Sequence, residues 1–267
     1  EALRLRGEVG PGPRILAWIY APGYDLGEAL AADVDLSVGA FWAIEAIRRA
    51  TSLTGVQARV HLKVDTGMAR GGFDPADLPA AAARLRELEA EGRVAVIGLW
   101  SHLARADEPE QAMTAAQLAA FDTAVAGLSG AQSLANSAAI IAHPAARRDW
   151  GRAGIALYEP FPGACPELKP VMRLTSRIFA ERTLQPGEPV GYGASFITER
   201  STRIGIAACG YADGYPRTAQ NGCPLTVNGQ PSRLIGRVSM DMLAVELDHH
   251  QGVGSEVELW GDAVSVA

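Results

Sequence analysis

Short apolar runs alternate with segments of helical spacing over the first half of the chain. Apolar residues at helical intervals predict helices at 41–50, 76–91, 110–128 and 137–142. Apolar or alternating runs predict strands at 14–20, 32–38, 58–64, 94–100, 132–135 and 150–152. Strands that alternate with helices are typical of a parallel sheet with helical crossovers.

Two sheet architectures share this alternation. An open doubly wound sheet is one, but no Gly-x-Gly-x-x-Gly turn follows the first predicted strand. A (β/α)8 barrel is the other and has eight strands. The sequence begins at Glu1 inside a helix-like run and ends just after a strand-like run at 257–261. We therefore predict an incomplete (β/α)8 TIM-type barrel, in a chain that is a part of a longer protein cut at both ends.

The pattern changes after Pro166. Residues 171–179 and 203–208 alternate like strands, turn residues become dense, and no long helical pattern remains. This predicts a mostly-β C-terminal domain. The expected division is a partial barrel at 1–168 and an incomplete β-rich domain at 169–267.

Composition narrows the class of protein. Hydrophobic residues make up 48% of the chain and charged residues 20%, as in packed globular proteins. The net charge of -6 argues against a nucleic-acid partner, and no run approaches the 18 apolar residues of a membrane span. Three scattered cysteines suit neither a disulfide framework nor a zinc site, so we expect a reducing, cytoplasmic location.

Polar and cationic residues follow four of the predicted strands. Catalytic groups of such barrels collect at the carboxyl ends of strands. These positions hold Lys63, Arg70, His102, Asn136, Ser137, Arg152, Gly154 and Ile155. Any one of them has a plain structural explanation, such as a surface ion pair, a structural histidine or a helix cap. Their coincidence at four strand ends predicts a site for an anion, with a helix start at 154–155 suited to phosphate.

Seven sequence motifs, in both halves of the chain, include these residues or add to them. They are 61–70, 101–102, 135–139, 152–158, 191–193, 210–217 (Gly-Tyr-Ala-Asp-Gly-Tyr-Pro-Arg) and 236–241 (Gly-Arg-Val-Ser-Met-Asp). In this order the runs resemble those of alanine racemases, the fold-type III family that uses pyridoxal phosphate. The resemblance spans nearly the whole chain. It implies a barrel, a β domain, a head-to-tail homodimer, and interconversion of L- and D-alanine for peptidoglycan synthesis.

The resemblance also implies roles on the cofactor side. Arg152 faces the pyridine nitrogen, and an arginine there stays protonated, which keeps that nitrogen unprotonated. Ser137, Gly154 and Ile155 form the phosphate cradle. His102 joins Arg152 to the catalytic tyrosine.

Further implied roles concern the substrate. Tyr211, donated by the partner subunit, is the base for L-alanine, and the Met240 backbone N–H of the partner contacts the substrate carboxylate. Arg70 contacts the same carboxylate and the cofactor phenolate. Lys63 resembles a lysine that is often carbamylated and holds Arg70, and Asp241 is a structural candidate beside Met240.

The sequence departs from the family pattern in one decisive respect. The family's Schiff-base lysine, which is the base for D-alanine, lies in an upstream run that this chain does not contain. Only Lys63 and Lys169 are lysines. We expect the 267 residues alone to bind the cofactor weakly and to turn over little. Milder departures are Ser239 in place of a common cysteine and Glu159 in place of glycine.

Other functions stay open at this point. One is a racemase of another amino acid, such as serine, and another is an inactive racemase-like protein that binds pyridoxal phosphate. A single-domain cofactor carrier would lack the β domain with Tyr211. A metal hydrolase with carbamylated Lys63 beside Asp65 and His102 would need more histidines at strand ends.

Overall fold

The chain, described by a computed structural model, divides into two compact units, Glu1–Gly154 and Ile155–Ala267. The structure describes residues 1–158 and 168–265. Glu159, which stands where the family pattern has glycine, lies outside the described residues. The domain limits 1–168 and 169–267 stay a prediction.

A parallel sheet forms the centre of the first unit. Its strands are β1 (Ile15–Ala17), β2 (Val34–Val38), β3 (Ala58–Lys63), β4 (Val94–Trp100) and β5 (Ala131–Ser133), hydrogen-bonded in that order. The helices are α1 (Ala2–Val9), α2 (Leu26–Ala31), α3 (Phe41–Thr54), α4 (Leu78–Ala90), α5 (Met113–Ala124) and α6 (Ser137–Ala142). Five parallel strands with helical crossovers confirm the incomplete (β/α)8 prediction.

Two details of the sequence prediction are wrong. Residues 150–152 do not form a strand: Arg152 makes one isolated parallel bridge to Asn136. The apolar pattern there was too short to distinguish a strand from a single bridge. The six-residue helix α2 was missed because it offers only two buried residues, Leu26 and Leu30, to a periodicity search. Its start is nevertheless fixed by Asp25, whose side chain accepts a hydrogen bond from the Gly27 backbone N–H at 2.8 Å.

The two faces of β3 have different chemistry because successive side chains of a strand alternate. Val60 and Leu62 are buried in the main hydrophobic core, which α3 and α4 share. On the other face, Arg59 Nε donates to Asp35 Oδ1 at 2.6 Å, and His61 Nε2 lies 3.4 Å from Asp35 Oδ2. Burial raises the pKa of Asp35, but hydrogen bonds from His61 and the arginines outweigh it and hold the pKa below its ordinary value.

The second unit is built from antiparallel strands. They are β6 (Leu174–Leu184), β7 (Pro189–Val190), β8 (Phe196–Ile197), β9 (Thr202–Ala207), β10 (Pro224–Val227), β11 (Gln230–Ile235), β12 (Leu243–Leu247) and β13 (Glu256–Trp260). Six of them close a barrel in the order β10-β11-β12-β9-β6-β13, and β7 pairs with β8. The hairpin between β10 and β11 turns at Asn228 and Gly229, whose φ angles are 50° and 74°. The prediction of a mostly-β second half is confirmed.

None of the helices in the described ranges is long and apolar enough to cross a membrane.

Two leucines on neighbouring helices give a matched test of where stability resides. Leu88 on α4 is 0% exposed, whereas Leu53 on α3 is 87% exposed. Leu88→Ala should lower the free energy of unfolding by about 2–5 kcal/mol because it leaves a core cavity. Leu53→Ala should change it by less than about 0.5 kcal/mol. Urea titration followed by tryptophan fluorescence measures both, and four of the five tryptophans lie in the first unit. Equal losses for the two variants would contradict the packing.

Candidate active site

The loop after β3 is organised by one carboxylate. Asp65 Oδ1 accepts hydrogen bonds from the backbone N–H groups of Gly67 and Met68 at 2.9 Å and of Ala69 at 3.2 Å. Ala69 adopts a positive φ of 56°, an uncommon conformation for alanine. Burial raises the pKa of Asp65, but the backbone hydrogen bonds outweigh it and keep the pKa below its ordinary value. The turn is therefore held as a unit, with Arg70 following it.

A cavity of about 660 Å³ lies at the carboxyl ends of β1 to β4. This volume is in the usual range for small-molecule sites. Its lining combines large aromatic rings with cations: Trp18, Tyr20, Trp42, Trp100, His102, Lys63 and Arg70. The Tyr20 hydroxyl is tied down by donating to the Ser37 carbonyl oxygen at 2.6 Å. Such a cavity favours a flat, negatively charged ligand.

Lys63 stands in an unusual environment for a lysine. Its Nζ lies 4.7 Å from the centroid of the Trp100 ring. Burial lowers the pKa of Lys63, the charges of Arg70 and Arg152 lower it further, and Asp65 opposes them. More of the amine is therefore neutral than in a solvent-exposed lysine.

Glycines allow the chain to pass close to this lysine. Gly72 has a φ of 126°, and a Cβ there would lie 2.7 Å from the Asp65 backbone nitrogen. A Cβ at Gly71 would lie 3.8 Å from Lys63 Nζ. Only glycine combines this backbone conformation with this approach at residue 72.

Arg152 is the most buried cation of the site. Its Nη2 donates to the carbonyl oxygens of Ser101 at 2.6 Å and of Leu134 at 3.2 Å, and its Nη1 donates to the Ser133 hydroxyl. Nη2 also lies 3.4 Å from His102 Nδ1. Arg152 Nε is buried without a hydrogen-bond partner in residues 1–158 and 168–265.

Two stacked indoles lie beside this guanidinium. The ring centroids of Trp18 and Trp100 are 5.2 Å apart, and the Arg152 guanidinium carbon is 4.8 Å from the Trp100 centroid. Burial, with a smaller contribution from the charge of Arg70, lowers the pKa of Arg152 to about 10. The side chain therefore stays cationic at neutral pH.

His102 is neutral at neutral pH. Burial lowers its pKa to about 4, and the charges of Arg152, Arg70 and Lys63 contribute in that order. Arginine only donates, so the contact with Arg152 makes Nδ1 the acceptor and leaves the proton on Nε2. His102 can thus offer an Nε2–H donor.

Ser137 and Gly154, which the resemblance assigns to the phosphate cradle, contact each other. The Gly154 backbone N–H donates to Ser137 Oγ at 2.9 Å. Asn136 caps α6 by accepting from the Ala139 N–H at 3.0 Å. Ile155 begins a single 3-10 turn, Ile155–Leu157, which belongs to the second unit. The predicted helix start at 154–155 is thus only one turn long.

In the second unit, the predicted base Tyr211 and the predicted substrate contact Met240 lie side by side. The Tyr211 N–H donates to the Ser239 carbonyl at 3.0 Å, and the Ala212 N–H donates to the Met240 carbonyl at 2.9 Å. A Cβ on Gly210 would lie 2.2 Å from the Met240 carbonyl oxygen, so this approach requires glycine. Both side chains are partly exposed, at 37% for Tyr211 and 55% for Met240.

These two residues border a second cavity of about 1020 Å³. Arg217 and Arg237 also line it, and the Arg217 guanidinium carbon is 5.4 Å from the Tyr211 ring centroid. Asp241 is exposed just before β12. Its structural role stays a prediction.

Sequence reasoning missed several residues of the site. Trp18 and Trp100 were assigned to strands as apolar residues, although their places at strand ends could have marked them as lining. Ser133 gave no signal, and neither did Gln117 on α5, whose Nε2 donates to the His102 carbonyl at 3.0 Å. A serine in a short strand and a glutamine in a helix are common on surfaces. In the described part of the chain, no group of three or more His, Cys, Asp or Glu side chains could hold a metal.

Comparison with known proteins places these features in a family. Residues 1–162 match the family model described as alanine racemase, N-terminal domain, and residues 171–267 match alanine racemase, C-terminal domain. The alanine racemase of Neisseria gonorrhoeae is 54% identical over 233 residues, which are 86% of this chain and 65% of that protein. The catabolic alanine racemase of Pseudomonas aeruginosa is 48% identical over 273 aligned residues, covering 100% of this chain and 75% of that protein.

Solved structures agree with this assignment. Alanine racemase from D-cycloserine-producing Streptomyces lavendulae superposes with a TM-score of 0.92 at 37% identity, over 98% of this chain and 72% of that one. Alanine racemase from Bartonella henselae, solved with covalently bound pyridoxal phosphate, gives 0.87 at 27% identity, over 99% and 74%.

The chain aligns with only part of the length of its relatives. The chain spans 65% of the Neisseria gonorrhoeae protein and 59% of the alanine racemase of Neisseria meningitidis serogroup C, less than two thirds of each. Both family models nevertheless match, and together they account for most of the chain. The chain belongs to the alanine racemase family.

Proposed function

We propose that the whole protein interconverts L- and D-alanine with pyridoxal phosphate as its cofactor. The observation that carries this proposal is the partly buried Arg152, in contact with neutral His102, beside an aromatic cavity that Lys63 and Arg70 line. The family to which the chain belongs supports it. A role in peptidoglycan synthesis and a cytoplasmic location stay predictions from the resemblance and from the cysteine count.

The residues present fit the proposed cofactor. Pyridoxal phosphate is a flat, anionic ring, and the cavity offers aromatic walls and cations. Arg152 Nε is a buried donor without a partner in the described residues, and a ring nitrogen would satisfy it. Arg152 and His102 would hold the ring side, while Ser137, Gly154 and Ile155 would hold the phosphate. When bound, the cofactor withdraws electrons from an attached amino acid and so acidifies its Cα–H.

Arg152 limits that electron withdrawal. With a pKa of about 10 it is protonated at neutral pH and can only donate. A nitrogen that accepts its hydrogen bond therefore stays unprotonated. Arg152 would in this way favour simple return of the proton to Cα over side reactions.

Proton transfer on one face of the substrate is assigned to Tyr211 of the partner subunit. A phenol in water ionises with a pKa near 10, so a tyrosine base needs cations and donors around its oxygen. In the proposed homodimer, the Nε2–H of His102 supplies one such donor and Arg152 supplies charge behind it. Backbone hydrogen bonds hold the turn of Tyr211 against that of Met240. This supports a role in which the partner subunit places the base and a contact for the substrate carboxylate together. The lysine base for the other face lies in a run that this chain does not contain.

Arg70 is assigned to the substrate carboxylate, and Lys63 to holding Arg70. A carbamate forms when a neutral amine attacks carbon dioxide and loses one proton to water. The lowered pKa of Lys63 raises the fraction of neutral amine, and Gly71 leaves room beside Nζ. We therefore propose that Lys63 is carbamylated, which places a negative charge next to Arg70.

Tyr211→Phe in the full-length protein tests the assigned base. Racemisation should fall about 100- to 10,000-fold, the usual contribution of general acid–base catalysis. The absorbance of bound cofactor should persist. Tyr24→Phe is the control, because that side chain is 70% exposed, and it should keep wild-type turnover. Normal racemisation by Tyr211→Phe would rule out the base assignment.

Arg152→Glu tests the contact with the ring nitrogen. A glutamate there would remove the cation that contacts His102 and would favour a protonated ring nitrogen. Racemisation should slow at least about 100-fold, the scale of losing one preorganised electrostatic contact. Side reactions that need a strong electron sink should rise relative to racemisation. Arg86→Glu, an exposed position on α4, serves as the control. An unchanged rate for Arg152→Glu would mean that the arginine does not face the ring.

Carbamylation of Lys63 can be tested without turnover. Protein equilibrated with 13C-bicarbonate should show a carbamate carbon signal by NMR, and Lys63→Arg should abolish it. Lys169→Arg, which changes the other lysine, should leave the signal intact. A signal that survives in Lys63→Arg would place the modification elsewhere, and its absence from the wild type would remove the proposal.

A further inference from the structure

The segment after β4, residues 101–105, has no regular secondary structure, and side chains bind its backbone instead. Asn136 Nδ2 donates to the Leu103 carbonyl at 3.3 Å, and Thr114 Oγ1 donates to the Arg105 carbonyl at 3.3 Å. The segment carries His102, so these contacts determine where the imidazole lies.

Gln117 makes the tightest of these contacts. It lies on α5 and is 2% exposed. Its Nε2 donates to the His102 carbonyl at 3.0 Å, and its Oε1 accepts from the Ala104 N–H at 2.9 Å. One planar amide thus pairs with the carbonyl of one residue and the N–H of the second residue after it, as a neighbouring strand would.

The same amide reaches the loop after β3. Gln117 Nε2 lies 3.4 Å from Thr66 Oγ1, and Thr66 Oγ1 lies 2.8 Å from Ser101 Oγ. Ser101 is 1% exposed, and its carbonyl accepts the hydrogen bond from Arg152. A continuous, partly buried network therefore runs from α5 through both loops to Arg152.

Only a carboxamide of this length satisfies both backbone groups. Glutamate lacks the donor, methionine lacks both the donor and the strong acceptor, and asparagine is one methylene shorter. Removing the amide leaves the partly buried His102 carbonyl and Ala104 N–H without this partner, which favours a shift of the segment toward new partners.

We infer that Gln117 is a positioning residue, which fixes the backbone of residues 102–104 and so holds the His102 ring against Arg152. For catalysis, this inference rests on the proposed function, in which His102 serves the tyrosine base. The placement itself does not depend on the reaction. Charges that face His102 come from Lys63 on β3, from Arg70 on the loop after it, and from Arg152.

Gln117→Met, a neutral variant of similar length, tests the inference in cofactor-free protein. NMR titration of the His102 ring protons, in buffer free of carbon dioxide so that Lys63 stays a cationic amine, should give a pKa near 4 in the wild type. In the variant the pKa should rise by at least about half a unit, because a displaced ring is more hydrated and lies farther from Arg152. Gln111→Met, at an exposed position ahead of α5, should leave the titration unchanged. A wild-type titration curve in folded Gln117→Met would overturn the inference.

A second measurement needs no variant and so survives misfolding of Gln117→Met. The Ala104 amide is bonded only through the Gln117 side chain within the described residues, so it should be strongly protected from hydrogen exchange. If the Ala104 amide exchanged as fast as an open loop amide, the hydrogen bond to Gln117 Oε1 would not hold the segment, and the inference would be wrong.

In full-length protein, Gln117→Met should lower kcat at least about tenfold with a smaller change in KM, since it disturbs proton transfer more than carboxylate binding. Equal kcat and KM in wild type and variant would overturn the inference that Gln117 supports catalysis. A wild-type protein that fails to racemise alanine would instead refute the proposed function and leave the titration result standing.

Discussion

The site depends on the burial of one positive charge, the guanidinium of Arg152. No carboxylate is among its described hydrogen-bond partners, which are two carbonyl oxygens, a hydroxyl and an imidazole nitrogen. Removing a cation from water without a counter-ion is costly, and the pKa lowered to about 10 is the sign of that cost. The surrounding carbonyls offset part of the cost, and an anionic ligand would offset more.

Burial, together with this charge and that of Arg70, shifts the pKa of two neighbouring side chains. His102 stays neutral because burial and the cations around it disfavour a second positive charge, which leaves a donor on Nε2. Lys63 has a lowered pKa for the same reasons, and this favours reaction of its amine. A single electrostatic arrangement thus provides a fixed cation, a neutral hydrogen-bond donor and a reactive amine within one site.

The sequence predicted the parts of this arrangement that are local. The strand at 94–100 was predicted with its observed limits. Residues after four predicted strands pointed to candidate positions before any family was considered, although one of those strands, 150–152, is only an isolated bridge. Contacts between distant segments were not predictable. The stacking of Trp18 on Trp100 joins β1 to β4, and Gln117 reaches from a helix whose polar residues resemble a solvent-facing surface. Such pairings depend on how the strands are ordered in the sheet, and no periodicity encodes that order.

The two units fix the positions of the candidate site residues in different ways. In the first, parallel strands bring side chains from distant segments to a common edge, where buried charge sets their chemistry. In the second, two short turns of the antiparallel unit lie so close that Gly210 has no room for a side chain, and backbone hydrogen bonds join the turn of Tyr211 to that of Met240. A base and a carboxylate contact fixed to each other would deliver substrate and proton acceptor in one geometry. For the proposed reaction this spacing matters, because the base removes the Cα proton efficiently only when the substrate carboxylate is bound at a fixed distance from it.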